Sequence, residues 1–389
     1  MIRRRLVSLL IDGAATCSSG RAAAEAAASA HAAAVKSGHA ADVFLCNHLI
    51  VSYARSGRLA LARRLFDEMP HRNLVSWSAL ISGCDRHGTI KEAEQVFLSV
   101  EEKDAITWNT YIAAHSRRSD HMDALMLFRN MVMDADVRPD NFTLASALAA
   151  CGELSLILHG KQVHGHLIRS RVDGDVAVGN AIIGMYAKCG GTVFAARVFD
   201  ALQNPNLLSW NTLISGFGRQ GHAKEAMEAF ERMEEAGIAP DSVTFTGLLS
   251  ACKHAGLVSQ GVAYFSSMTG THGVQPGPEH VACVVDLLAR AGRLEEAERH
   301  VQASAFRDDP VVLGGLLSAC RLHGDAGGVG ERAAARLLAL GPATSSPYVL
   351  LSQLHAAGGR WDGAATAWRM MKDGPGKKDA GRSTVGGCR

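Results

Sequence analysis

The stretch from Asn180 to Asp241 states one pattern twice. Each copy starts with Asn and a small apolar run (Asn180-Ala-Ile-Ile, then Asn211-Thr-Leu-Ile) and breaks at a glycine (Gly190, Gly221). An alanine-rich segment carrying one Phe (Phe199, Phe230) follows. In the second copy Leu213, Ile214 and Phe217 share one helix face. Ala226, Phe230 and Met233, at spacings of four and three, share the face of another. Gly221 suits a left-handed cap between the two helices, and Gly237 with Pro240 stops the second. A helical hairpin of this size cannot bury its apolar stripe alone. It needs copies stacked beside it, and that need limits the fold to a helical repeat array.

Copies run through nearly the whole chain. The second-helix aromatics are Phe66, Phe97, Phe128, Phe199, Phe230 and Phe265, separated by 31, 31, 71, 31 and 35 residues. Glycine breaks recur at Gly57, Gly88, Gly190, Gly221, Gly256 and Gly292, and a Trp recurs at Trp77, Trp108 and Trp210. The units run 43–73, 74–104, 105–140, 141–175, 176–206, 207–241, 242–277 and 278–309, with a worn unit at 6–42 ahead of them. The fold class expected is all-α.

The totals bound the rest. The chain has 389 residues, more than one ordinary core, but a repeat array needs no conventional domain boundary. Nothing in it is long and apolar enough to span a membrane, so no membrane partner is expected. Nine cysteines form no CxxC pair, and Cys151, Cys252 and Cys320 share one repeat position. Buried small apolar residues is the preferred reading, with zinc or disulfides the alternative. The odd count fits a reducing compartment. The net charge is +2, but residues 1–41 and 372–389 each carry +3, which leaves the body at −4. A generic nucleic-acid binder shows a basic face, and the body advertises none. The N-terminus, Met1 to about Ala30, is Arg-rich, Ser/Ala-rich and poor in acids. It resembles an organellar transit peptide, with the worn repeat as the competing or overlapping reading.

Units of 31, 35 and 36 residues carrying FDEMPHRN, SWNTLISGF, ACKHAGLV, GKQVHGHLIRS and NAIIGMYAKCG resemble pentatricopeptide repeat (PPR) proteins. More narrowly they resemble the plant subclass that mixes standard-length (P), long (L) and short (S) motifs. Residues 310–346 and 347–385 resemble the paired extension (E) motifs of that subclass, the second with a truncated end where Thr384 stands in place of the usual Trp. The resemblance implies a right-handed α-solenoid of helix-turn-helix repeats that binds single-stranded organellar RNA, one base per repeat. It implies site recognition in C-to-U RNA editing, in a mitochondrion or alternatively a chloroplast. A DYW-type deaminase and organellar RNA editing cofactors would then act in trans.

In that family the fifth and last residues of a repeat specify the base. The implied pairs are Asn47 with Asn73, Ser78 with Asp104, Asn109 with Asp140, Ala145 with Asp175, Asn180 with Asn206, and Asn211 with Asp241. Thr246 with Gly277 and Ala282 with Asp309 are later pairs. Asn offers a donor and an acceptor to a base edge, Asp accepts, and a short Ser leaves room for a purine. The family pattern implies uracil at the two Asn/Asp repeats, guanine at Ser78/Asp104 and a pyrimidine at the two Asn/Asn repeats. Asn at a helix start and Asp after Pro are also ordinary cap and turn residues. The apolar second residues (Phe44, Val75, Ile106, Phe142, Leu208, Val243) sandwich bases in the family; helix-packing core is the alternative.

Signals for catalysis are weak. Gly216-Phe-Gly218-Arg-Gln-Gly221 matches GxGxxG, yet it lies in a helical repeat with no preceding strand. There is no HExxH, and no HxE followed by CxxC, so the zinc-deaminase signature is missing. The expectation is a non-enzyme with no cofactor and no metal. It recruits a deaminase in trans or is a truncated product whose activity has decayed. The rivals are RNA stabilisation, splicing or translation in an organelle, and a tetratricopeptide-like protein-binding scaffold. The latter keeps a 34-residue period and a Trp-Leu-Gly-Tyr signature not found here.

Overall fold

The computed structural model describes residues 20–134, 137–170, 175–323, 328–341 and 345–373. Residues 1–19 of the expected transit segment and the close of the second extension motif, with Thr384, lie outside the described residues. Those described are helical, with no strand among them, and they fall into two compact units, Met1–Cys189 and Gly190–Arg389.

The first unit opens with α1 (Gly20–Lys36). Four hairpins follow: α2 (Val43–Arg55) with α3 (Leu59–Glu68), α4 (Leu74–His87) with α5 (Ile90–Leu98), α6 (Ala105–Arg117) with α7 (His121–Met133), and α8 (Asn141–Glu153) with α9 (Ile157–Ser170). It closes on α10 (Val176–Lys188). The second unit opens with α11 (Thr192–Asp200). Its hairpins are α12 (Leu207–Gln220) with α13 (Ala223–Glu235), α14 (Ser242–Ala255) with α15 (Val258–Gly270), and α16 (Pro278–Arg290) with α17 (Leu294–Ala303). Then come α18 (Pro310–His323) with α19 (Val329–Ala339), and α20 (Ser346–Ala357) with α21 (Trp361–Asp373). Within each unit every first helix packs on its own second helix and on the next first helix. This is the all-α solenoid architecture.

The recurring aromatics explain the stacking. Phe66, Phe97 and Phe199 of the second helices are buried, and each meets the Trp of the next first helix edge-on. The ring centroids lie 4.7 Å apart for Phe66–Trp77, 5.0 Å for Phe97–Trp108 and 4.4 Å for Phe199–Trp210. Where the next first helix has no Trp, Phe230 packs on Phe245 at 5.8 Å. Phe265 departs from this pattern. It is half-buried, against His300.

The GxGxxG residues serve packing inside α12. A Cβ on Gly218 would lie 2.4 Å from the Gly247 carbonyl oxygen, so the glycine lets α12 and α14 approach closely. Gly221 caps the helix at φ 77°, the left-handed geometry that favours glycine. Gly88 differs from the other breaks. Its φ is −118°, so the turn there needs no left-handed residue.

Cys151, Cys252 and Cys320 are fully buried in first helices, and burial pushes the Cys151 and Cys252 thiols up to about 11. Among the described residues no helix is long and apolar enough to cross a membrane, and no cluster of three or more His, Cys, Asp or Glu could hold a metal ion.

Candidate nucleic-acid interface

Each last residue of a repeat is the N-cap of the next first helix. Asn73, Asp104, Asp140, Asn206 and Asp241 have extended backbone, and their side chains accept the N–H of Ser76, Thr107, Thr143, Ser209 and Thr244. The ordinary cap role is thus filled. It does not exhaust these side chains.

The fifth residue of the preceding repeat reaches the same cap. Asn47 Nδ2 donates to Asn73 Oδ1 (3.1 Å), Asn109 Nδ2 to Asp140 Oδ2 (2.9 Å), and Asn211 Nδ2 to Asp241 Oδ1 (3.0 Å). None of these three Asn is a cap. They sit about one turn into their helices, with little exposure. Burial opposes ionisation of the Asp140 and Asp241 carboxyls. Bonds from the Thr143 or Thr244 backbone and hydroxyl, and from the Asn amide, outweigh it and hold both below the usual carboxylate range. Both are acceptors at neutral pH.

A third residue, not anticipated from the sequence, completes the clamp. Ser76, Thr143 and Thr244 each donate a hydroxyl to the preceding Asn, at 2.6, 2.5 and 2.6 Å. Other repeats vary. Ser78 Oγ lies 3.4 Å from Thr107 Oγ1, whose hydroxyl is 2.6 Å from Asp104 Oδ1. Gly277 brings no side chain. Its N–H donates to His280 Nδ1, which leaves Nε2 protonated, 2.8 Å from Ser242 O and 3.1 Å from Thr246 Oγ1. Ala145 is half-buried with no polar side-chain atom, while Asp175 caps α10 and Asp309 caps α18. Asn180 is buried in α10 of the first unit, and Asn206 caps α12 of the second.

The second residues overturn the packing-core alternative. Phe44, Val75, Ile106, Phe142, Leu208 and Val243 are 47–61% exposed. An open groove brings Phe44, Val75, Asn47 and Asn73 together. A neighbouring groove continues it from Val51 to Arg55 and Arg86. Phe44, Asn47, Val51 and Arg55 follow at helical spacing, so apolar, polar and cationic groups line one stripe of α2.

That stripe ends on a cation, and cations recur at its position in other repeats. Position thirteen of the first helices is Arg55, Arg86, Arg117, Lys188, Arg219 and Arg290, interrupted by Glu153 and His254. Arg117 Nε donates to the buried Asp85 (2.7 Å), Lys188 pairs with Glu153, and Arg290 lies 3.1 Å from Asp286. Arg55, Arg86 and Arg219 have no carboxylate partner among the described residues and are exposed. Net charge concealed the row because acids elsewhere in the body dilute it.

A helical-hairpin repeat protein with polar clamps between successive first helices is the class that the fold and this row define. Comparison with known proteins identifies the family. The PPR repeat profile matches residues 44–74, 75–104, 106–134 and 243–270, and the PPR repeat family profile matches 205–254. The pentatricopeptide repeat-containing protein At1g05750, chloroplastic, of Arabidopsis thaliana is 41% identical over 345 residues, covering 87% of this chain and 69% of that protein. CRR2, chloroplastic, from the same plant is 36% identical over 343 residues, 88% of this chain and 47% of its own length. The mitochondrial protein At3g53360 is 35% identical over 356 residues, 91% of this chain and 42% of its own. The chain therefore spans about half the length of these last two relatives. The crystal structure of PPR10 from maize superposes with a TM-score of 0.56 at 19% identity, covering 90% of this chain and 56% of that one, a likeness of fold. The chain belongs to the pentatricopeptide repeat family.

Proposed function

We propose that this chain binds single-stranded RNA and reads it one base per repeat, through the clamps at Asn47/Asn73, Asn109/Asp140 and Asn211/Asp241 and through the residues Ser78 with Asp104 and Asn180 with Asn206 at the same repeat positions. The observation that carries the reading is the side-chain bond between fifth and last residues, repeated at Asn47, Asn109 and Asn211 and flanked by exposed apolar second residues. Phe44, Val75, Ile106, Phe142, Leu208 and Val243 flank the bases, as stacking or apolar platforms do on other single-strand binders. Asn gives a donor and an acceptor to uracil, and the ionised Asp accepts a base N–H directly or through water. Ser78 leaves room for guanine. Ala145, Thr246/Gly277 and Ala282/Asp309 contribute little base selection. Arg55, Arg86 and Arg219 hold phosphates.

The biological role that fits best is site recognition for C-to-U editing in a mitochondrion, or alternatively a chloroplast. The two hairpins from Pro310 to Asp373 serve as extension motifs that dock a deaminase acting in trans. The mixed 31-, 35- and 36-residue units and those two closing hairpins support this reading. Deleting the gene and sequencing organellar transcripts tests it. The expected result is loss of conversion at one or a few cytidines downstream of a matching base pattern. Unchanged editing with altered transcript ends or splicing would contradict the editing role and leave an RNA-processing one.

A further inference from the structure

In three clamps the fifth-position amide is held at both ends. Its Nδ2 is tied to the last residue of its own repeat, and its Oδ1 to a hydroxyl from the third residue of the following repeat. Ser76, Thr143 and Thr244 are fully buried, so water does not compete for these bonds.

Each hydroxyl has one proton, and its destination can be assigned. Thr143 Oγ1 accepts the Asp140 N–H (3.2 Å) and lies 2.9 Å from Asp140 Oδ1 and 2.5 Å from Asn109 Oδ1. Asp140 Oδ1 already accepts the Thr143 N–H at 2.9 Å, so the shorter contact to Asn109 takes the proton. Ser76 and Thr244 repeat the arrangement.

The same residue types recur in the sequence. Asn47, Asn109, Asn180 and Asn211 are followed at the third position of the next repeat by Ser76, Thr143, Ser209 and Thr244. Ala145 and Ala282, which cannot bond a base, are followed there by Val178 and Val312, both buried. A helix cap alone gives no reason for this match. Asp175 caps α10 with Val178 at the third position, and Asp309 caps α18 with Val312 there.

We propose that the third-position hydroxyl is a specificity-positioning residue. It fixes how the Asn of the preceding repeat presents its amide to an RNA base. The proposal rests on the base-reading function above. With Oδ1 held by the hydroxyl and one Nδ2 hydrogen by the last residue, the clamp leaves one N–H and one oxygen lone pair for the base, in a single orientation. Without the hydroxyl, the amide swings about its remaining tether and the base meets several presentations. The repeat 242–277 shows the other limit. There the fifth residue is Thr246, which has no amide to present, and His280 at the third position engages its hydroxyl.

The test is selection from a randomised single-stranded RNA pool by the full chain and by Thr244→Val, Thr244→Ser, Asn211→Ala and Thr143→Val, with thermal melts of each. Thr244→Val is nearly isosteric and removes only the hydroxyl. It is expected to flatten base preference at one column on the order of tenfold while the other columns keep theirs. Thr244→Ser is expected to restore it. Preference that stays sharp in Thr244→Val but is lost in Asn211→Ala would overturn the positioning role and leave base reading intact. Columns unchanged in Asn211→Ala would overturn base reading at this repeat, and positioning with it. Thr143→Val, in the other unit, decides the matter through its own column should Thr244→Val not fold.

Discussion

Asn211 and Asp241 are separated by 30 residues of chain, yet the Asn211 amide donates to the Asp241 carboxylate across 3.0 Å. The bond joins the first turns of two neighbouring helices, so helix packing determines whether the pair forms at all. Asp241 does two jobs at once: it caps α14 and it orients the side chain of the preceding repeat. This coupling holds both side chains in place, which under the proposed base-reading role would lower the ordering cost of binding.

Apolar residues in the core and on the stripe should separate cleanly. Phe230 is buried against Phe245, Tyr264 and His272. Phe230→Ala is expected to cost about 3–5 kcal/mol in denaturant unfolding. Leu208→Ala removes an exposed side chain and should change stability by no more than about 0.5 kcal/mol. It should nonetheless weaken single-stranded RNA binding in a titration. Phe44→Ala should weaken it more, by about 1–3 kcal/mol, because an aromatic face stacks better.

The exposed cations predict a salt dependence. Arg55, Arg86 and Arg219 lack carboxylate partners among the described residues, whereas Arg117 is engaged by Asp85. Replacing any one of the first three by Gln is expected to lower the slope of log affinity against log salt by about 0.7 for each phosphate no longer held. Base preferences should stay as they were. Fluorescence anisotropy across a salt series reads both.

Acid should act through the caps. The Asp140 and Asp241 carboxyls titrate below their ordinary value of 3.8, despite burial, because the clamp bonds favour the ionised form. A depressed folded-state value means the stabilisation is whole above the unfolded value and is lost as pH falls from about 3.8 through the folded value. Asp241→Asn keeps a capping side chain but no titrating group. Its melting temperature should therefore fall less steeply than that of the parent chain below pH 3.8. Parallel curves would contradict this assignment.

Close helix approach gives a fourth expectation. Gly218→Ala would put a Cβ 2.4 Å from the Gly247 carbonyl, where no flexible side chain can yield. Overpacking of this kind costs about 1–3 kcal/mol, read as a shift in the unfolding midpoint. An unchanged midpoint would show that α12 and α14 can separate freely.

Much of this architecture is legible from single residues. Phe66, Phe97 and Phe199 with the Trp eleven positions on mark the hairpins, because the two rings pack edge-on where those repeats stack. The fifth and last residues are legible only through a family resemblance, since Asn47 and Asn73 are distant in the chain and nothing local ties them. The third-position hydroxyls escape notice because Ser or Thr three residues after a cap reads as an ordinary capping box. Their match to the fifth residue, Thr143 to Asn109 but Val178 to Ala145, is nevertheless present in the letters. The exposed Arg55, Arg86 and Arg219 are hidden by a net charge summed over the whole chain. The exposure of Phe44 and Leu208 cannot be read from hydropathy, which places an apolar residue inside by default.

The most direct measurement is a reprogramming of one clamp. Asn211→Ser, with Asp241 kept, recreates the Ser78/Asp104 pair in the repeat 207–241. Selection from a randomised single-stranded RNA pool should then show one column changing from uracil to guanine, with its neighbours unchanged. A column that stays uracil, or a chain that binds single-stranded RNA without preference before and after the substitution, would contradict base reading by these clamps.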